Sequence, residues 1–244
     1  MAQRHSKHPL IVGCLLLGLA AIPDAMVLPV LHDLTVGRYG VSEGVAHVFM
    51  AVNLLGALLA VGLLVFLRRR VPSSVLFISS AIISALLMVL MAKTTSWWLF
   101  LTFRCVEGGA DLLLLAIPLR LIAGAGSHNR YAGRMGGGFT AIMIALAIGV
   151  GIGGVVGENS ASNVLWVGAG ITGVLALIAT NMRRTVDNLP TSPLPDPHSC
   201  PLIPKEWLGA GFMALDRCLS AIVSTSLPIL LASGFNIAPT TLGI

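Results

Sequence analysis

The stretch at 97–121, WWLFLTFRCVEGGADLLLLAIPLRL, constrains this chain more than any other. It is long and apolar enough to cross a bilayer, and Trp97 and Trp98 at its start match an interfacial aromatic belt. Its interior nevertheless carries Arg104, Glu107 and Asp111. Steps of three and four residues put all three on one helical face. A charge at mid-bilayer costs about 2.5–3.5 kcal/mol on insertion scales, so it persists beside a partner or a water-filled cavity. This helix is therefore expected to wall a polar cavity inside a membrane protein.

Composition agrees. The 244 residues are 56% hydrophobic and only 10% charged, where a soluble domain carries about 25% charged residues. The net charge of +5 does not point to nucleic acid, because the basic residues sit between apolar runs and form no patch with aromatics. Cys14, Cys105, Cys200 and Cys218 have neither paired nor metal-ligand spacing and read as reduced, structural thiols. The first apolar run is too long for a removed signal peptide and lacks a small-residue cleavage site, so it reads as a retained helix.

Seven apolar helices are expected, at about 10–31, 44–67, 73–91, 97–121, 133–156, 164–182 and 207–232. Pro23 and Pro29 predict a kink or an unwound turn near the end of the first. Residues 32–43 read as a polar loop and 158–163 as a tight one. Prolines at 190, 193, 195, 197, 201 and 204 make 183–204 an extended linker. The domain division is thus a six-helix bundle at 1–182, a Pro-rich cytoplasmic linker at 183–204, and the first helix of an incomplete second bundle at 205–244. If the N-terminus is cytoplasmic, that side gathers Arg68, Arg69, Arg70, Arg120, Arg134, Arg183 and Arg184 among others, and the far side only Arg38 and Lys93. The positive-inside rule is satisfied for all seven spans at once. A short repeat relates Pro29-Val30-Leu31 to Pro228-Ile229-Leu230 and Gly44-Val45 to Gly243-Ile244.

These features resemble the first half of a major facilitator superfamily transporter plus the opening of its second half. LTFRCVEG at 101–108 is similar to the fourth-helix motif of that superfamily, an Arg followed three and four residues later by Gln and Gly, with Glu107 in place of the Gln. Asp24 ahead of Pro29 resembles the first helix of drug:proton antiporters. In the fifth helix Gly136, Gly149, Gly153 and Gly154 match the antiporter motif, while Ala145 and Val150 replace a Gly and the Pro. After the second helix Gly62, Leu64 and Arg70 fit the G-x-L-x-D-R-x-G-R loop, but Phe66 stands at the Asp position and Arg69 at the second Gly. The resemblance implies an all-α, multi-pass fold and alternating access by a secondary transporter in the inner (plasma) membrane. It also implies efflux of a small molecule, coupled to protons. In the family the missing Asp helps to latch the two halves together.

The candidate site is read residue by residue. Asp24 and Arg104 each lie about seven residues, roughly 10 Å, below the outer end of their helices, so an ion pair at equal depth is expected. Asp24 would carry the proton and Arg104 tune it; the bland reading is a static pair that fixes helix packing. Glu107 and Asp111 would bind a cationic group or relay a proton, or merely neutralise Arg104. Asp216 and Arg217 point about 100° apart, so each requires a partner on another helix, as cavity group or docking contact. A cysteine at Ala25 or Gly108, beside these acids, would separate transporter from scaffold: a transporter cavity admits a water-soluble thiol reagent there and a packed scaffold does not. Gly133, Gly137, Gly149, Gly153 and Gly157 form a small-residue stripe, read first as helix packing and second as a sliding contact.

G-x-G-x-x-G at 149–154 is not a dinucleotide site, since no strand precedes it. No nucleophile–base pair, phosphate loop or metal cluster supports an enzyme, a cofactor or a metal. The partners expected are a small-molecule substrate, protons, membrane lipid, and a second half-transporter or a second copy. The rival is a non-transporting membrane scaffold or receptor, or an inactive half-transporter, the end at Ile244 being read as truncation.

Overall fold

The computed structural model describes residues 8–67, 70–125 and 131–187, with no strand among them. The helices are α1 (His8–Val27), α2 (Glu43–Ala46), α3 (Val48–Leu67), α4 (Ser73–Lys93), α5 (Trp97–Gly124), α6 (Tyr131–Gly157), α7 (Ala161–Asn181) and α8 (Arg183–Asp187). Among the described residues, 5 helical segments are long and apolar enough to cross a membrane: Pro9–Val30, Glu43–Val61, Ser73–Lys93, Tyr131–Gly157 and Ala161–Asn181. The 28-residue α5 is longer than any of them but carries Arg104, Glu107, Asp111 and Arg120. The outward faces are apolar: Leu54, Leu55, Leu58 and Leu59 on α3 and Phe139, Ile144 and Ile148 on α6 are all exposed. A bundle with that exterior is at home in lipid, and the chain is a membrane-embedded helical protein.

Two expectations fail. Residues 32–43 are not a loop through their first half. Helix continues past α1 through a 3-10 turn at Leu28–Val30 and a π-helical turn at Asp33–Gly37. Pro29 has no N–H to return to the preceding turn, and the change of helical pitch absorbs that loss. The polar residues of this extension have partners. Thr35 Oγ1 donates to the Leu31 carbonyl at 2.6 Å, and Tyr39 Oη to the Thr94 carbonyl at 3.0 Å. Arg38, expected as a loop charge, forks over the last turn of α4, donating to the carbonyls of Met91, Ala92 and Thr94.

Residues 183–187 are likewise not extended. They form α8, whose Asp187 accepts the Ser74 backbone N–H at 3.0 Å and the Ser74 hydroxyl at 2.7 Å. Pro72 gives the start of α4 no side-chain cap, and Asp187 supplies one from 113 residues away. The rest of the expected linker and the seventh helix lie outside the described residues.

Packing follows a rule that the sequence did not announce. α1 packs on α5, α6 and α7; α5 packs on α1, α3 and α4; α4 packs on α7. Exchanging α1 with α5, α3 with α6 and α4 with α7 maps these closest contacts onto one another, while the lighter α5–α6 and α6–α7 contacts have no counterpart of similar extent. α1 and α5 run antiparallel: Gly13 lies against Pro118 and Ile122, Asp24 against Arg104. α1 and α6 run parallel, Ile22, Met26 and Val30 meeting Gly149, Gly153 and Gly157 in turn. α3 and α5 also run parallel, Phe49 meeting Arg104 and Ala60 meeting Gly109. The described bundle is therefore two three-helix units of opposite direction around a central α1–α5 pair.

Candidate functional site

The centre of that pair holds the charges. Arg104 is buried, 1% exposed, and its guanidinium is shared three ways. Nη2 donates to Asp24 Oδ1 at 2.8 Å. Nη1 pairs closely with Glu107 Oε2, three residues on. Nη1 also lies 3.9 Å from Asp111 Oδ2. The Phe49 ring covers the guanidinium from α3, its centroid 4.8 Å from Cζ. The expected Asp24–Arg104 pair is thus in place, and Glu107 and Asp111 stand on the same face of α5.

The three carboxylates are not equivalent. Glu107 is sealed, 0% exposed, and its second oxygen accepts from Ser84 Oγ of α4 at 3.5 Å. Asp24 is 34% exposed, the most of any member of the cluster. Asp111 is 15% exposed, and Asn53 of α3 lies within reach of it as a hydrogen-bond donor. One oxygen from each carboxylate lies within 4.8 Å of the other two, close enough to share a single cation. Arg104 supplies one positive charge to that group, so the three acids leave two negative charges uncompensated.

Around the cluster the packing is tight. Phe49 stacks on Phe100 at 5.0 Å, and Tyr39 and Trp97 extend this aromatic stack. Gly108 leaves no room for a side chain, since a Cβ there would overlap the Asn53 backbone and amide. Gly56 likewise faces the Cys105 carbonyl. Ala25 is 1% exposed and Gly108 is buried. Both positions are packed, the outcome expected of a scaffold, because the close α3–α5 and α1–α6 contacts fill the space beside them. An apolar cavity of about 370 Å³ does open between α3, α4 and α5, lined by Leu59, Leu76, Ser80, Ile83 and Cys105 among others. No member of the charged cluster lines it.

The glycine stripe divides. Gly149, Gly153 and Gly157 sit directly on α1, where a Cβ would meet Ile22 and Ala25, overlap the Met26 backbone, and overlap the Val30 side chain respectively. Gly154 is buried in α6. Gly133, Gly136 and Gly137 face open space, and nothing within 4 Å requires their small size. Asp216 and Arg217 lie outside the described residues.

Asn53, Ser84 and Phe49 complete the site, and apolar patterning alone does not single them out. Asn53 did carry a signal, as the one amide inside an otherwise apolar helix. Ser84, four residues after Ser80, is a polar step on one face of α4. Phe49 resembles every other apolar residue in α3, and only the fold shows it over Arg104. No protein-family model, curated protein or solved structure matches this chain.

Proposed function

We propose that this chain is the first half, with the opening of the second, of a secondary transporter of the major facilitator type. It would work by alternating access and couple solute efflux to protons. Two antiparallel three-helix units around a central helix pair support the architecture, because nested three-plus-three repeats build each half of such transporters. Asp24 carries the functional reading. Of the three clustered carboxylates, it alone both bonds to the buried Arg104 and keeps about a third of its side chain exposed. A proton arriving on Asp24 would release Arg104 from it, and a departing proton would restore the pair. Glu107 would keep Arg104 in place throughout.

The two uncompensated negative charges favour a cationic or amphipathic solute. Basic residues gather at the end where α4 and α6 begin, with Arg70, Arg120, Arg134, Arg183 and Arg184. That supports placing this end, and the N-terminus, at the cytoplasmic face of the inner membrane.

Asp24→Asn should abolish pH-driven transport of a lipophilic cation in proteoliposomes while leaving the helical circular dichroism unchanged. Transport that keeps its pH dependence in this variant would remove Asp24 from the mechanism. The scaffold reading draws on the sealed Glu107 and the tight α3–α5 seam. A cysteine at position 24 separates the two: a transporter cavity admits a water-soluble thiol reagent there, and a packed scaffold does not.

A further inference from the structure

Two acceptors at the α3–α5 seam, Asp111 Oδ2 and Asn53 Oδ1, are buried without a hydrogen-bond partner, as is the donor Arg104 Nε. Leaving a buried acceptor unmatched is costly, and a packed seam has no need of two. A proton supplies what is missing. On Asp111 Oδ2 it turns an unmatched acceptor into an O–H donor and removes one of the two uncompensated negative charges.

The other carboxylates are worse hosts. Glu107 is held on one oxygen by Arg104 and on the other by the Ser84 hydroxyl. Asp24 takes a direct 2.8 Å bond from Arg104 and is the most exposed of the three. Asp111 is held as an anion more weakly, by the 3.9 Å approach of Arg104 Nη1 and by the Asn53 amide within reach. The groups facing Asp111 are Arg104 and Glu107 on its own helix, Asp24 from α1, and the non-titrating Asn53 and Ser84 from α3 and α4.

We infer that Asp111 and Asn53 form a second proton site, in which Asp111 is a neutral acid at physiological pH and hydrogen-bonds to Asn53. The proton comes from water, the new bond is Oδ2–H, and the cluster passes from two uncompensated negative charges to one. Asp24 then remains the exchanging carboxylate and Asp111 the reservoir behind the guanidinium. This assignment rests on the proton-coupled reading for its purpose, but not for its test.

The test is infrared spectroscopy of the full chain in lipid nanodiscs near pH 7. A protonated-carboxyl band is expected. It should shift when aspartate is ¹³C-labelled and stay put when glutamate is. Asp111→Asn should remove it, Asn53→Ala should move it to higher frequency, and Asp216→Asn should leave it in place. The labelled wild-type chain decides between aspartate and glutamate even if a variant fails to fold. No band, a band that follows the glutamate label, or one lost in Asp216→Asn but kept in Asp111→Asn would overturn the assignment. A correct band in a chain that moves no solute would sink the transport reading and leave this one standing.

Discussion

The α1–α6 seam and the α3–α5 seam occupy equivalent places in the two three-helix units, and both bring parallel helices into backbone contact through glycine. Along α1–α6 the contacts are aliphatic: Ile22, Met26 and Val30 on Gly149, Gly153 and Gly157. Along α3–α5 the same closeness, at Gly56, Gly108 and Gly109, brings Asn53 to Gly108 and lays Phe49 over Arg104. The dry seam shows that the architecture does not require charge. Buried ion pairs contribute little to stability when set against well-packed apolar residues. The charged seam is therefore the one to question for function.

The largest effect should come from filling either seam. Gly56→Val and Gly153→Val each drive a side chain into backbone, of Cys105 and Met26 respectively. Overpacking costs about 1–3 kcal/mol where side chains can give way, and backbone gives way less. Both variants should lose several degrees of melting temperature or fail to fold in detergent. A well-folded Gly153→Val would mean that α1 and α6 do not touch as described.

Next is the centre of the charged seam. Arg104→Met leaves three facing carboxylates without their cation and should cost about 3–5 kcal/mol in reversible unfolding, with recovery at low pH as the acids protonate. Equal losses at acid and neutral pH would show that Arg104 matters through packing on Phe49 instead. Asp187→Ala removes the cap on α4 and should cost about 1 kcal/mol, the typical worth of a helix N-terminal cap. The smallest change is Gly136→Ala, with open space around it; its effect should be neutral to about 1 kcal/mol stabilising, and a marked loss would reveal a neighbour there.

Much of this fold was legible as apolar runs. The described spans fall within a few residues of their expected positions, because lipid solvent tolerates only continuous helix across its thickness. The interruptions were not legible. Polar residues at 32–39 read as loop because their partners, the α4 carbonyls, lie more than 50 residues away. α8 was hidden for the same reason, since Asp187 is fixed by Ser74. Within the site, Asp24, Arg104, Glu107 and Asp111 announced themselves through the cost of charge in an apolar helix. Which acid is sealed and which is wet depends on helix rotation, and the hydrophobic pattern here is too uniform to fix it.

The grip of Asp187 on Ser74 changes where the remaining chain is moored. Without it, everything after α7 would hang from the last turn of α7 and could fray it. With it, a five-residue turn is folded back and riveted to the head of α4, so a tug from downstream is felt first by α4. Two neighbouring helices then share whatever strain reaches residue 187.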